Sequence, residues 1–585
     1  MTAYTRERFP KDPLLVQFLR SAKRCAGLGP YVLDVFGFKK SYNELLADIL
    51  RMRDIIRERL PASAFDERGL FREDAPYVSI LTKSGYEFIV AFLRLVCWPV
   101  LASRLVSVDY GHGAGSGVMP EEALYFIEVS KSSCLLAGQG CLDRAEKAAA
   151  LLEEQGKSGV VPLAISCDAE PLESLDMIEI DENLDMDTNG PGLVIFTSGT
   201  TGAPKGTVLP RLNMCFLPDT NVGAESVCFR PPHWLGGLIS MTIPLMIGAK
   251  IHIPGERATP EQIWDVFLKN RINGAGFTPT VLRSMKEFVE AKSPEEQKKY
   301  LEGLKYIPNI NCSGAMVSPS VLKFWRAWSG LQFINVYGST EIGGFATHRV
   351  LDGTELANSI GVPVPGIKVK LTEGDQGEIC VWSPFMMTHY IGAEEKTKAA
   401  FDEEGYFKTG DYGEFRDGEY YFCGRANADY AFYQGFRIPT VQVELALTSL
   451  PYVTEACVLG VPDHEAKELC GAVVRLTRPA QALQHDPEQR ISLAKICEDL
   501  HPILPRYMHP TLLRFIESDE EMPQTASLKP IKKQVIKKCF GVEEYWEAEK
   551  PTPGVEFSGN KQVHKEAETK PWDWAGLQYY QEATT

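Results

Sequence analysis

Apolar residues recur at helical spacing in the first sixty positions: Leu14, Leu15, Phe18 and Leu19, then Leu45, Leu46, Ile49 and Leu50. That period predicts two amphipathic helices within residues 13–60, with Tyr31-Val32-Leu33-Asp34-Val35 between them as a short strand. Tyr77-Val78-Ser79-Ile80-Leu81 is a continuous apolar run of strand length, and Ser84 to Trp98 reads as a largely apolar helix. Leu193 to Phe196 is a further buried strand, and Glu261 to Leu268 an amphipathic helix. Two β-type runs, Asn309 to Ala315 and Phe333 to Glu341, each end in a turn of small residues. Turns of this kind place ligand-binding groups at strand C-termini. Val441 to Leu450 opens a new unit, with Ala456 to Val461 as a strand. Strands and helices alternating in this way predict an α/β layout with mainly parallel strands. Residues 111–120, GHGAGSGVMP, read as a flexible turn; without a strand–GxGxxG–helix context they predict no nucleotide site. From about Glu543 the chain turns polar and charged, which predicts a tail loosely ordered or draped on the surface.

A length of 585 residues exceeds a single core and predicts at least two domains. The net charge of −16 argues against a general affinity for nucleic acid or anionic membrane. Fourteen cysteines without a CxxC pair or metal-ligand spacing read as reduced, mostly buried thiols. No apolar run approaches the length needed to span a bilayer. The N-terminal basic residues (Arg6, Arg8, Lys11, Arg20, Lys23 and Arg24) are interrupted by Glu7 and Asp12, and the last three residues are not a peroxisomal signal. A cytoplasmic location is the expectation, with organelle targeting left open.

The stretch with the most chemistry is Leu193 to Leu209, LVIFTSGTTGAPKGTVL. Glycines let backbone N–H groups converge on an anion, hydroxyls add donors, and Lys205 supplies a point charge. Together these make a polyphosphate cradle. It is not the Walker pattern, because the lysine sits between Pro204 and Gly206. A generic Gly/Ser/Thr loop is more often a polar surface turn, but this string is more specific. Thr197 to Gly206 resembles the phosphate-loop signature of the adenylate-forming superfamily, which includes acyl-CoA synthetases, adenylation domains of peptide synthetases and luciferases.

Further stretches match that superfamily in order. Tyr337-Gly-Ser-Thr-Glu341 resembles its Tyr-Gly-x-Thr-Glu motif, in which the aromatic stacks on a base, Thr340 reaches a phosphate and Glu341 holds Mg²⁺. Tyr406-Phe-Lys-Thr-Gly-Asp411 resembles the motif whose aspartate accepts from the ribose hydroxyls, and Arg425 matches an arginine near the ribose. The run Gly424 to Gly435 departs from the pattern, being one residue longer and without its lysines; Asp429 is the candidate hinge acid. Pro523-Gln-Thr-Ala-Ser-Leu-Lys529 resembles the segment carrying the adenylation lysine, with Leu528 in place of the usual glycine. Lys532, Lys533, Lys537 and Lys538 read as a solvated basic face, with a CoA-phosphate patch as the alternative. The stretch Pro232-His233-Trp234-Leu235-Gly236 resembles the Phe-His-x-x-Gly segment of acyl-CoA synthetases. It carries no acid to hold an amine, which points to a simple carboxylic acid. Segments 233–268 and 312–346 look most like short-chain and malonyl-CoA synthetases, yet Leu235 stands where malonate users tend to carry a second histidine, so malonate is not the expected substrate.

The resemblance implies an α/β multi-subdomain large N-terminal domain joined by a hinge to a small α+β C-terminal domain. The expected boundaries are 1–425, a hinge at 426–432, 433–543 with the catalytic lysine, and a polar tail at 544–585. It implies ATP, Mg²⁺ and coenzyme A, and a reaction in which a carboxylate is adenylated and then passed to a thiol. Thr197, Ser198, Gly199, Thr200, Thr201, Gly202 and Lys205 would hold phosphates; Gly314, Tyr337, Gly338, Asp411 and Arg425 would hold the nucleotide. Thr340, Glu341 and Lys529 would serve the reacting centre, and His233, Trp234 and Thr278 would line the acid pocket. Two competing readings are an adenylation enzyme that loads a separate carrier protein and a non-catalytic nucleotide- or acyl-binding homologue.

Overall fold

In the computed structural model the helical period of the first sixty residues becomes two helices, Pro13–Arg24 and Tyr42–Arg59. The structure describes residues 7–558 except 66, 68–76, 98–104, 108–119, 158, 198–203, 216–221, 256–257, 352–357, 426–428, 434–435, 487–488, 518–519, 525–529 and 547–551. Each helix has a built start. Asp12 accepts from the Leu15 N–H at 3.1 Å, with Pro13 supplying a preset φ at the first position. Ser41 and Glu44 cap the second helix reciprocally, and Leu45, Leu46, Ile49 and Leu50 face the core. The glycine-rich turn expected at 111–120 lies outside the described residues up to position 119, and Pro120 starts a helix.

The chain divides into two units, Met1–Phe422 and Cys423–Thr585. In the first, a seven-stranded sheet runs in the order His389–Tyr390, Lys205–Pro210, Pro191–Thr197, Leu105–Ser107, Val78–Leu81, Cys134–Ala137 and Val161–Ala164. Its last five strands are mutually parallel. A thirteen-stranded path holds a second parallel run: Gln332–Ser339, Asn309–Ser313, Ile272–Phe277, Glu225–Val227, Lys250–Ile253 and Val32–Asp34. Parallel strands end on the same side, so the turns following Phe277, Ser313 and Ser339 are gathered along one edge. The mainly parallel α/β layout expected from the hydrophobic pattern is present. Behind it, Trp264 and Trp325 stack at 6.0 Å in a core with Phe267 and Phe277.

The second unit is built on the sheet Phe436–Pro439, Tyr430–Tyr433, Lys467–Leu476, Leu512–Phe515 and Val555–Phe557, with Val453–Asp463 also paired to Lys467–Leu476. Helices Thr440–Ser449, Leu493–Leu500 and Lys532–Phe540 accompany it, an α+β arrangement. Of the polar tail expected to be loose or draped, residues 547–551 and 559–585 lie outside the described residues, and the described part is tied to the second unit. Val555–Phe557 pairs antiparallel with Leu512–Phe515, and Trp546 is only 4% exposed. Backbone pairing and one large aromatic side chain outweigh the polar composition. The described cysteines are unbridged, and among the described residues no helix is long and apolar enough to cross a membrane.

Glu444, on the helix Thr440–Ser449, accepts from the Val458 N–H at 2.7 Å. Burial pushes its carboxyl up to about 7 from 4.5, against the opposing effects of that bond and of Lys532. The folded chain therefore keeps this proton where the unfolded chain has released it. Stability from this group falls as pH rises from about 4.5 to about 7 and is level above that. Chemical denaturation of wild type and Glu444→Gln at pH 5 and pH 8 should show the difference moving in the variant's favour by up to about 3 kcal/mol. An unchanged difference would mean that the carboxyl titrates normally.

Candidate active site

Strands Pro191–Thr197 and Lys205–Pro210 are an antiparallel hairpin whose last pair joins Thr197 to Lys205. The phosphate-loop residues Ser198, Gly199, Thr200, Thr201 and Gly202 lie between them, outside the described residues. The base of the loop is well fixed. Tyr125 donates its hydroxyl to the Pro204 carbonyl at 2.7 Å, and Phe126 meets Phe196 edge-on at 4.7 Å. Gly192 is also obligatory here, because a Cβ would sit 2.5 Å from the Arg211 Cα.

The Tyr337–Glu341 segment ends the strand Gln332–Ser339 and turns back into Gly344–Leu351. Gly338 lets the two strands close up, since a Cβ there would stand 1.7 Å from the Gly344 carbonyl oxygen. The turn is tied down by Gly343 N–H donating to Thr340 O at 3.0 Å and by Asn213 Nδ2 donating to Gly343 O at 2.8 Å. Met387 N–H donates to Glu341 O at 2.7 Å. Tyr390 links two predicted residues: Lys205 Nζ lies 4.8 Å from its ring centroid, and its hydroxyl hydrogen-bonds Glu341. Burial and then the Glu341 charge push this phenol well up. Tyr337 donates its hydroxyl to Asp411 Oδ2 at 2.7 Å, and Asp411 is buried at 7% exposure. Lys205 and Glu341 are thus joined through Tyr390, and Tyr337 and Asp411 by direct contact.

At the neighbouring strand ends, Thr278 caps the helix Pro279–Glu290 by accepting from Val281 N–H at 3.4 Å. Gly314 takes φ +94° with open space around it. Trp234 precedes the helix Leu235–Met246 and meets the His233 ring edge-on at 5.6 Å. Arg230 lies in the same region, donating to the Phe277 carbonyl and, at 3.3 Å, to Ser313 Oγ. Sequence reading assigned this arginine no role. It also missed Tyr390, Asn213 and Tyr125. None of these has a local motif, and their importance comes only from contacts to distant segments.

In the second unit, Arg425 N–H donates to Asp429 Oδ2 at 3.1 Å, and Asp429 pairs with Lys532 at 2.9 Å. Gly424 takes φ +112° against the Asp429 side chain. Three of the four lysines read as a basic face have acidic partners: Lys532 with Asp429, Lys537 with Glu543 and Lys538 with Glu520. Lys529 lies outside the described residues, but the base of its loop does not. Ile531 N–H donates to Pro523 O at 2.9 Å, and Gln524 pairs with Pro530.

Glu341 and Thr340 provide hard oxygen donors, and the Ser339 hydroxyl beside them is sealed from solvent without a partner among the described residues. Mg²⁺ is commonly held by one or two carboxylates with phosphates and water completing its shell. A single carboxylate joined through Tyr390 to Lys205 fits that need. Among the described residues no cluster of three or more His, Cys, Asp or Glu forms an all-protein metal cage.

Comparison with known proteins places this geometry. Residues 56–391 match the AMP-binding enzyme family, and residues 442–529 match the AMP-binding enzyme C-terminal domain. Acyl-CoA ligase oryP of Aspergillus oryzae is 30% identical over 542 residues, covering 91% of this chain and 93% of that protein. Mitochondrial malonate–CoA ligase ACSF3 of Homo sapiens is 28% identical over 391 residues, covering 60% of this chain and 66% of its own. ATP-bound MatB from Rhodopseudomonas palustris superposes with a TM-score of 0.69 at 22% identity, covering 90% of this chain and 98% of that one. At that identity the likeness shows the fold. The chain belongs to the AMP-binding enzyme family, within the adenylate-forming superfamily that includes the acyl-CoA ligases.

Proposed function

We infer that this chain activates a carboxylic acid with ATP and passes the acyl group to the thiol of coenzyme A. The observation that carries this reading is the set of contacts joining Lys205 to Glu341 through Tyr390 and holding Asp411 on Tyr337. In the first step a carboxylate oxygen attacks the α-phosphorus of ATP, the bond to the bridging oxygen breaks, and pyrophosphate leaves. In the second the thiol sulfur attacks the acyl carbon, loses its proton, and AMP leaves. Thr197 and Lys205, with the loop residues 198–202, would bind the phosphates. Asp411 would accept from the ribose hydroxyls and Tyr337 would fix its carboxylate, with Arg425 near the same sugar. Gly314 would admit the nucleotide close to backbone, and Gly338, closed against the Gly344 carbonyl, would set the turn that faces it. Glu341 would hold Mg²⁺, which supplies charge neutralisation to the phosphates when bound, and Thr340 would reach a phosphate oxygen. Lys529 would offset charge at the reacting centre. We assign the boundaries 1–425, 426–432, 433–543 and 544–585, with Asp429 as hinge residue, on the motif order.

The acceptor has a second reading. The run from Gly424 to Gly435 lacks the family's lysines, which favours keeping a carrier-protein phosphopantetheine as the alternative thiol. Pyrophosphate release with MgATP across short, branched, aromatic and long-chain acids, with and without CoA, tests both. Turnover accelerated by CoA with thioester formed supports the ligase. Release without CoA-thioester moves the reading to carrier loading, and no release with any acid overturns both.

A further inference from the structure

Arg230 follows the strand Glu225–Val227 and lies against the C-terminal ends of two neighbours in the parallel run. One terminal nitrogen donates to the carbonyl of Phe277, the other to Ser313 Oγ at 3.3 Å. A guanidinium has five N–H donors and always carries its charge. Its Nε is sealed from solvent and has no partner among the described residues. Among the described residues it pairs with no carboxylate: the groups beside it are the thiols of Cys228 and Cys312, a carbonyl and a hydroxyl. Both thiols are pushed well up by burial and stay neutral, so neither balances the charge. The chain makes room for this cation. A Cβ on Gly236 would stand 2.9 Å from one terminal nitrogen, and one on Gly276 would stand 3.4 Å from the other.

A half-buried cation without a counter-ion keeps an uncompensated charge, which a bound anion can balance. Structural buried arginines meet this need with a carboxylate, as Arg211 does with Asp12. Arg230 is instead aimed among Gly236, Gly276 and Ser313, at the strand ends where an α/β sheet takes its ligand. We propose that Arg230 is a specificity residue that binds a second acidic group on the substrate, so that the acid activated here is a dicarboxylic acid. One carboxylate goes to the α-phosphate; the other takes the unused N–H donors of Arg230. This revises the weight placed on Leu235, because a cation five residues earlier replaces the missing histidine. The inference rests on the ligase reading given above.

The test uses the full chain with MgATP and CoA and compares each straight-chain dicarboxylic acid of three to eight carbons with the monocarboxylic acid of equal length. The expected result is a kcat/KM at least about 30-fold higher for the best diacid than for its monoacid, in line with a charged hydrogen-bonded pair. Arg230→Met should remove most of that preference by raising KM for the diacid while leaving kcat for the monoacid within a few-fold. Arg230→Lys should keep part of the preference, since it restores the charge without the planar fork. Thermal unfolding of both variants checks folding; if Arg230→Met does not fold, the wild-type ratio and Arg230→Lys decide. Equal turnover of monoacids by wild type, or a preference unchanged in Arg230→Met, overturns the proposal and leaves the ligase intact. No pyrophosphate release with any acid of either series overturns the ligase reading itself.

Discussion

Replacing Lys529 with alanine is expected to lower acid-dependent pyrophosphate release by about 10²–10³-fold, the usual cost of losing one preorganised charge at a reacting centre. As the carboxylate approaches the α-phosphate, two anionic groups are brought together, and an ammonium between them offsets the charge that develops. The ribose and phosphate contacts assigned to Asp411, Thr197 and Lys205 are untouched, so KM for ATP should change little while kcat falls. That split distinguishes a reacting-centre lysine from one that only binds nucleotide. Thioester formation from supplied acyl-adenylate and CoA should stay within a few-fold of wild type, because adenylation is already complete. Full adenylation activity in the variant would remove Lys529 from the mechanism. Leu528 beside it bears on the same step: the loop is pinched at Pro523 and Ile531, so its ends are set even though its sequence departs from the family pattern.

The largest loss of stability is expected from Asp12→Ala. This carboxylate caps the helix Pro13–Arg24 and forms an ion pair with Arg211, both residues being at most 2% exposed. Arg211 directly follows the strand Lys205–Pro210, so the pair joins the N-terminal helix to the phosphate hairpin. Removing one member of a buried pair costs about 3–5 kcal/mol, because the other charge keeps its desolvation penalty. Urea denaturation followed at the transition of the large unit should show that loss. Asp12→Asn should fall between wild type and alanine, since an amide oxygen can still cap Leu15 but brings no charge. A loss below about 1 kcal/mol for the alanine variant would show that Arg211 finds its charge balance elsewhere.

Much of the site was legible because its chemistry is written in short contiguous strings. Thr197 to Gly206, Tyr337 to Glu341 and Tyr406 to Asp411 each combine residue types that a phosphate, a cation or a ribose requires. Family membership follows from those strings in order, and the matches over residues 56–391 and 442–529 agree with it. The less legible residues are those whose neighbours are far away in sequence. Nothing near Tyr390 marks it as the contact between Lys205 and Glu341, which depends on strand His389–Tyr390 pairing with Lys205–Pro210. The described part of the tail was hidden for the same reason: its composition is polar, and the short strand Val555–Phe557 forms because Leu512–Phe515 offers an edge.

The sequence by itself determined the α/β alternation, the two amphipathic helices within residues 13–60, and the order of the nucleotide-binding motifs. These are local properties, set by periodicity and the chemistry of adjacent side chains. Only the tertiary structure decided that Arg230 has no carboxylate partner among the described residues while Arg211 has one. An arginine reads the same in a sequence whether it faces an acid, water or an open strand end. Its meaning depends on which charges the fold brings within a few ångströms, and the residues that decide this for Arg230 lie 47 and 83 positions away.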